Sequence, residues 1–310
     1  AGGGSIGWVD DGSALRVGPR SSGATPGPAA FGRGGTEATV TDAQIVLGAL
    51  TARAIGVVSL DADAARAAVS RLAAMLGVSA ERTARAMVAA ADAAMARALR
   101  RVSVERGVDP RRCVLVAFGG GGPLHACALA ELLGVRRVLV PPFAGVLSAL
   151  GLAIAPERRD AMASVMRAAK DLDGAATREL DAVLVARAEG GRGGGAGHVQ
   201  RWMRARYEGQ GHELEIPFAP GEAGDVLASR FGAEHEKRMG FTLEQGVEII
   251  GARVAITGDA RSPNLVSSGD AAATHRGPAV VALPDATMLV AEGWTARTLP
   301  IGGYLVEHNA

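Results

Sequence analysis

The chain has 310 residues, 48% hydrophobic but only 4% aromatic, with 33 Lys and Arg against 32 Asp and Glu for a net charge of +1. That length exceeds one average domain and predicts two or three compact units, with cores built from Ala, Val and Leu. The near-neutral balance excludes a long-range field that would gather nucleic acid or an anionic membrane, and no apolar run reaches bilayer-spanning length.

The first residues, Ala1-Gly2-Gly3-Gly4-Ser5, are a triple-glycine turn followed by a hydroxyl. Loose alternation over 6–20 around Asp10-Asp11-Gly12 predicts a β-hairpin. Residues 18–36 are rich in Gly, Pro and Ser and read as an ordered loop. Thr41 and Gln44 suit a capping box at the start of a helix. Further helices are expected over 63–76, stopped by Gly77, and over 79–106, ended by Gly107 and Pro110. A strand over 113–118 leads into Gly119-Gly120-Gly121-Gly122-Pro123, a helix over 123–133 and a strand over 137–140. This strand–helix alternation argues an α/β sheet. Residues 145–154 read as a short buried helix.

After Pro156 the character changes. Residues 160–188 read as a charged, Ala-rich helix, and 190–197 as a low-complexity flexible loop. Two strands over 198–218, a helix near 222–238 and a strand over 247–258 complete an α+β unit. From Pro278 onward, short strands with Pro and Gly turns predict a small all-β tail. No internal repeat is visible.

Cys113 and Cys127 are the only cysteines. They form no disulfide framework and fit a reducing cytosol, so a cytoplasmic location is expected. No signal-peptide pattern opens the chain. A start without Met, inside a glycine turn, leads to the expectation of a fragment.

Two glycine bends in one chain point to a nucleotide clamped between backbone loops. Glycine lets amides approach a phosphate or a nucleotide sugar closely, and a helix N-terminus presents those amides with the positive end of its dipole. The alternative for Gly119–Gly122 is a tight strand-to-helix turn without ligand. A dinucleotide fingerprint fails, because Leu124 holds the third glycine position and Pro141-Pro142 follow the next strand in place of a ribose-binding acid. No P-loop motif exists. Gly3-Gly4-Ser5-Ile6-Gly7 matches the G-x-S-x-G elbow, but a strand pattern follows where the elbow needs a helix, which argues against Ser5 as a nucleophile. A hairpin whose amides and hydroxyl wrap phosphate oxygens suits the turn better.

Asp42 is either a carboxylate facing the site or a first-turn acid complementing the helix dipole. His125 either contacts ligand or packs. His125, Cys127 and Cys113 lack zinc-site spacing. Glu234-His235-Glu236 lacks the second histidine of H-E-x-x-H and reads as a solvated helix face. Tyr207, Gln210 and His212 flank a Gly-rich turn that either lines a substrate or subunit contact or is a plain hairpin, the reading preferred here.

The blocks AGGGSIGWVD, VGPRSSGATPGPAAFGRGGTEATVTDAQIVLGAL, VAFGGGGPLHACALAELLGVRRVLVPPFAGVLSALGLAIA and YEGQGHELEIPF closely resemble the hydantoinase A / 5-oxoprolinase family. The resemblance is strongest over 1–155 and weakest in the tail. It implies an α/β fold with an actin-like ATPase (ribonuclease H-like) subdomain over 1–157, an α+β accessory region over 158–260 and a small β module over 261–310. It also implies that Gly2, Gly3, Gly4 and Ser5 match a second phosphate-binding loop. Gly119, Gly120, Gly121 and Gly122 match the adenosine motif, with Pro123 and His125 inside it. A first phosphate loop and its acidic residue would precede this chain. The implied cofactors are ATP and Mg²⁺, and the implied reaction is phosphoryl activation and opening of a five-membered cyclic amide. A ketone carboxylase subunit and a non-catalytic nucleotide-binding fragment are the alternatives. The implied assembly is an oligomer with a hydantoinase B-type subunit, without nucleic acid or membrane.

Overall fold

The structure, a computed structural model, describes residues 2–50, 59–190, 197–259 and 273–309. The chain divides into two compact units, one formed by residues 1–153 and 264–310, the other by 154–263.

The first unit opens with the expected hairpin, β1 (Ser5–Val9) against β2 (Leu15–Ser21), with Trp8 opposite Arg16. Three helices pack on it: α1 (Val40–Val46), α2 (Ala62–Leu76) and α3 (Ala80–Val102). Their shared core joins Val9, Leu15 and Val17 to Ala43, Val69, Leu72, Ala84 and Met87. Gly7 lies in β1 because a Cβ there would sit 2.7 Å from Met87 Cε. Gly77 caps α2 in the left-handed region, and Asp61 and Ser79 cap the starts of α2 and α3 through their side chains.

The capping box of α1 is formed by Thr39 and Asp42, not by Thr41 and Gln44. Both pairs have the required spacing; the observed one lies two residues earlier because Thr39 is the residue that keeps extended backbone (φ −112°, ψ 168°).

The strand expected over 113–118 shrinks to β3 (Leu115–Val116), and the helix after the glycines is α4 (Gly122–Leu133). β4 (Arg137–Val140) pairs parallel with β3. α5 (Leu147–Ile154) forms where a buried helix was expected, yet none of its residues is buried and Leu152 is 81% exposed. Apolar composition predicts a preference for burial, whereas burial itself requires a neighbour.

The second unit corrects the Ala-rich helix expected over 160–188. Its first part is the strand β5 (Arg158–Ala168), and only α6 (Gly174–Glu189) is helical. Ala161, Ala163 and Val165 turn into the core while Met162 and Met166 are exposed, a period of two that long-range pairing selects over the helical propensity of Ala. β6 (His198–Tyr207), β7 (Leu214–Pro217), α7 (Gly224–Met239) and β8 (Val247–Thr257) follow as expected. The antiparallel sheet runs in the order β5-β8-β6-β7. Its core gathers Leu184, Met203, Ile216, Leu227, Phe231 and Ile249. His235, expected on a solvated face, is 3% exposed, with Nδ1 2.9 Å from Phe241 O among Tyr207, Phe231 and Phe241. Tyr207 is likewise core. Residues 191–196 of the expected glycine-rich loop lie outside the described residues.

The C-terminal strands are β9 (Thr274–Arg276), β10 (Ala279–Ala282), β11 (Thr287–Val290), β12 (Trp294–Thr298) and β13 (Tyr304–His308). The tail is β-rich as expected, but it does not stand apart. β13 pairs with β4, giving one sheet in the order β3-β4-β13-β12-β9, while β10 and β11 form a hairpin against α4. The pairing covers an edge of β4 that would otherwise be unsatisfied. Trp294, fully buried, donates its indole N–H to Glu131 Oε1 of α4 at 2.8 Å.

Candidate functional site

The first glycine bend is a turn closed on itself. Ser5 N–H donates to Gly2 O at 2.9 Å and Gly2 N–H donates to Ser5 Oγ at 3.0 Å. The hydroxyl of Ser5 therefore shapes the turn, at the start of a strand, as the argument against a nucleophile elbow requires. Gly3 and Gly4 are held close by their neighbours: a Cβ on Gly3 would lie 2.6 Å from Thr41 Oγ1, and one on Gly4 2.9 Å from Ser21 Oγ. Thr41 N–H donates to Gly3 O at 2.8 Å. Among the described residues, the N–H groups of Gly3 and Gly4 have no partner.

The second bend leaves β3 and opens α4. Gly119 has φ +82°, a conformation that favours glycine. Its N–H donates to Ala144 O at 2.7 Å, and Gly122 N–H donates to Gly119 O at 3.2 Å. Gly120 and Gly121 keep unpartnered N–H groups among the described residues, and a Cβ on either would meet nothing within 4 Å. Pro123, buried in the first turn of α4, has no N–H to satisfy.

Both bends are tied to the same short helix. The start of α1 holds the first through Thr41, and the residues just past its end, Ala49 and Leu50, pack on Leu124, directly behind the second. A helix of that length rises about 10 Å. Two pairs of unpartnered amides are thus braced from opposite ends of one strut. Such amides bind anions and other acceptors when water is displaced.

Asp42 is 0% exposed. Its carboxylate accepts from Thr39 N–H (2.9 Å), Thr39 Oγ1–H (2.7 Å), Ala30 N–H (2.9 Å) and Ala29 N–H (3.3 Å). That geometry belongs to the structural alternative. Asp42 fastens the Pro/Gly loop to the start of α1: Oδ2 accepts three of these bonds, Oδ1 accepts the one from Ala30 N–H, and the residue is closed off from solvent.

His125 is 5% exposed, and its Nδ1 lies 2.6 Å from Asp92 Oδ1 on α3. Asp92 was not singled out from the sequence. The available signal was an acid inside an Ala- and Met-rich apolar helix face, where Ala84, Met87, Ala91 and Ala96 are buried with it. A buried acid implies a partner.

Gly145 was also missed. A Cβ there would sit 1.8 Å from Asp285 O, so the turn between β10 and β11 is pressed against the segment whose Ala144 carbonyl holds Gly119. No local pattern carries this contact, which joins residues far apart in the chain.

Cys127 donates to Leu289 O at 3.5 Å, and burial pushes its thiol up to about 11. No group of three or more His, Cys, Asp and Glu able to hold a metal occurs among the described residues. Neither glycine bend carries a carboxylate, and Asp42 is taken up by three backbone N–H groups and the Thr39 hydroxyl, so the two bends offer Mg²⁺ no carboxylate of their own. No helix among them is long and apolar enough to cross a membrane.

A model of the hydantoinase/oxoprolinase family matches residues 1–161. An uncharacterized protein, MJ0964, of Methanocaldococcus jannaschii is 41% identical over 273 residues, covering 86% of this chain and 39% of that protein. Caprolactamase subunit alpha of Pseudomonas jessenii is 44% identical over 168 residues, 53% of this chain and 24% of that subunit. The crystal structure of ATP-dependent caprolactamase from the same organism matches with a TM-score of 0.69 and 28% identity, over 100% of this chain and 52% of that one. A nucleotide-free acetone carboxylase structure matches with a TM-score of 0.76 and 23% identity, over 99% of this chain and 52% of that one, a likeness of fold. The chain spans about half the length of these solved chains and less of the curated relatives.

Proposed function

Because the chain belongs to the hydantoinase/oxoprolinase family, we propose that it is the nucleotide-holding part of an ATP-dependent enzyme that opens a five-membered cyclic amide, such as a hydantoin or 5-oxoproline. The observation that carries this reading is the pair of glycine bends with unpartnered amides, braced by the two ends of α1. The similarity to an enzyme described as an ATP-dependent caprolactamase supports it, since a lactam is also a ring amide.

Amide resonance makes an unstrained ring resistant to water. Transfer of the γ-phosphoryl group of ATP to the ring carbonyl oxygen breaks the bond to ADP and forms a new P–O bond. The carbon then becomes electrophilic. A first water adds to it, and the ring C–N bond breaks as nitrogen takes a proton, leaving an acyl phosphate. A second water releases phosphate and the free carboxylate. Phosphoryl transfer calls for positioning and charge stabilisation more than for covalent chemistry by the protein. The amides of Gly3 and Gly4 supply donors to phosphate oxygens, and those of Gly120 and Gly121 to the nucleoside end. Mg²⁺ would arrive with the nucleotide, and no residue here is assigned to it. Similarity to a protein called a subunit supports a partner chain of the hydantoinase B type and action as an oligomer. A cytoplasmic location agrees with two unpaired cysteines.

Calorimetry with ATP and Mg²⁺ on this chain tests the nucleotide reading: saturable binding is expected, and its absence refutes it. Phosphate release dependent on a hydantoin or 5-oxoproline, measured with the partner subunit present, tests the reaction. Release dependent on bicarbonate and a ketone instead would move the chain to the carboxylase reading.

A further inference from the structure

The family resemblance places His125 inside the adenosine motif, whereas Asp92, which meets it, has no assigned role. The side chains of Asp92 and His125 are 7% and 6% exposed, and they join α3 to α4. Burying an acid is costly, and apolar residues of similar size would hold two helices together at least as well. What a carboxylate adds is orientation. An ionised carboxylate only accepts, so its contact with Nδ1 requires a proton on that nitrogen. In a neutral ring so held, Nε2 is an acceptor.

Two further facts locate Nε2. It has no hydrogen-bond partner among the described residues, yet it is not one of the side-chain atoms sealed from solvent without a partner. His125 is also the fourth residue of α4, whose first is Gly122. Helical side chains lean toward the N-terminus and cover the turn before their own Cα. His125 therefore belongs to the first turn of α4, the turn that Gly121 precedes and Gly122 opens, with Nδ1 tied back to α3.

We propose that Asp92 is a positioning residue that fixes the tautomer of His125, so that Nε2 accepts a hydrogen bond from a hydroxyl or amino group of the nucleoside seated at the second glycine bend. This rests on the nucleotide reading above. The pair decides which groups of the nucleoside are recognised, while the glycine amides handle oxygens.

The test uses the full chain with ¹⁵N-labelled histidine, with the His125 resonances assigned by their loss in His125→Asn. The native protein is expected to show a protonated Nδ1 and an unprotonated Nε2 whose shift moves on addition of ATP. Asp92→Asn is expected to mix the tautomers, because an amide can donate to Nδ1, and to weaken ATP binding about tenfold, the scale of one hydrogen bond. His125→Asn keeps a short amide facing Asp92 and is expected to show the same loss. Two analogues separate the donors: 2′,3′-dideoxy-ATP lacks the ribose hydroxyls, and inosine triphosphate lacks the amino group. One of them should bind the native chain about tenfold more weakly than ATP, and that difference should vanish in His125→Asn. If ATP binds while Nε2 stays unmoved, or if both analogues lose as much in His125→Asn as in the native chain, the proposal is overturned alone. If ATP does not bind the native chain, this proposal and the nucleotide reading fall together.

Discussion

Replacing Asp42 by Ala separates a structural carboxylate from one that faces the site. The substitution strips the acceptor from three buried backbone donors, the N–H groups of Ala29, Ala30 and Thr39. An unsatisfied buried donor costs about 1–3 kcal/mol, and water entering the space left by the carboxylate offsets part of the sum, so a loss of about 3–6 kcal/mol is expected. In a unit of about 200 residues, each kcal/mol shifts Tm by about 2–4 °C, which places the drop at roughly 6–24 °C. Differential scanning calorimetry reads it directly. Asp42→Asn keeps the volume but sets amide hydrogens against backbone N–H groups, and should fall between the native chain and Asp42→Ala. Bound ATP should raise Tm for whatever fraction remains folded, because the amides of the glycine bends are untouched. A variant that melts with the native protein yet no longer binds nucleotide would refute the structural account and return Asp42 to the site.

Gly145→Ala brings a methyl group to 1.8 Å from Asp285 O and must displace either the turn between β10 and β11 or the segment holding Gly119; weaker ATP binding together with a lower Tm is expected by calorimetry. Gly119→Ala isolates backbone strain, since its φ is +82° and its Cβ would meet nothing; a cost of about 1–2 kcal/mol in chemical denaturation is expected. Asp160 is held down to about 2 by Arg158 and then Arg253, with a third of its side chain exposed. A lowered acid stabilises the fold above its unfolded value of 3.8, and that contribution is lost as pH falls from about 4 to about 2. Asp160→Asn should remove about 0.5 kcal/mol at pH 7 and flatten stability across that acid window, in urea titrations at low salt. Cys113 is exposed, whereas Cys127 is buried and its thiol is raised to about 11, so a maleimide at pH 7.5 should label one site in the native chain and two in guanidinium, counted by mass spectrometry.

The residues alone determined the elements whose signals are local. Gly77 stops α2, Ser79 starts α3, and Gly119–Gly122 sit between a strand and a helix, because capping and left-handed backbone depend on a few neighbouring residues. The family resemblance was likewise carried by contiguous blocks. Tertiary structure alone decided the rest. Arg158–Ala168 became a strand because β8 offered a partner for its length, against the preference of an Ala-rich segment for helix. The C-terminal strands joined β4 instead of standing alone, because a strand edge needs hydrogen bonds from wherever in the chain they can come. Asp42 was drawn inward by donors from a loop more than ten residues away, and His125 found Asp92 across two helices. A polar side chain's role is set by which partners reach it once water is gone, and those partners are chosen by packing over the whole unit, not by the residues beside it.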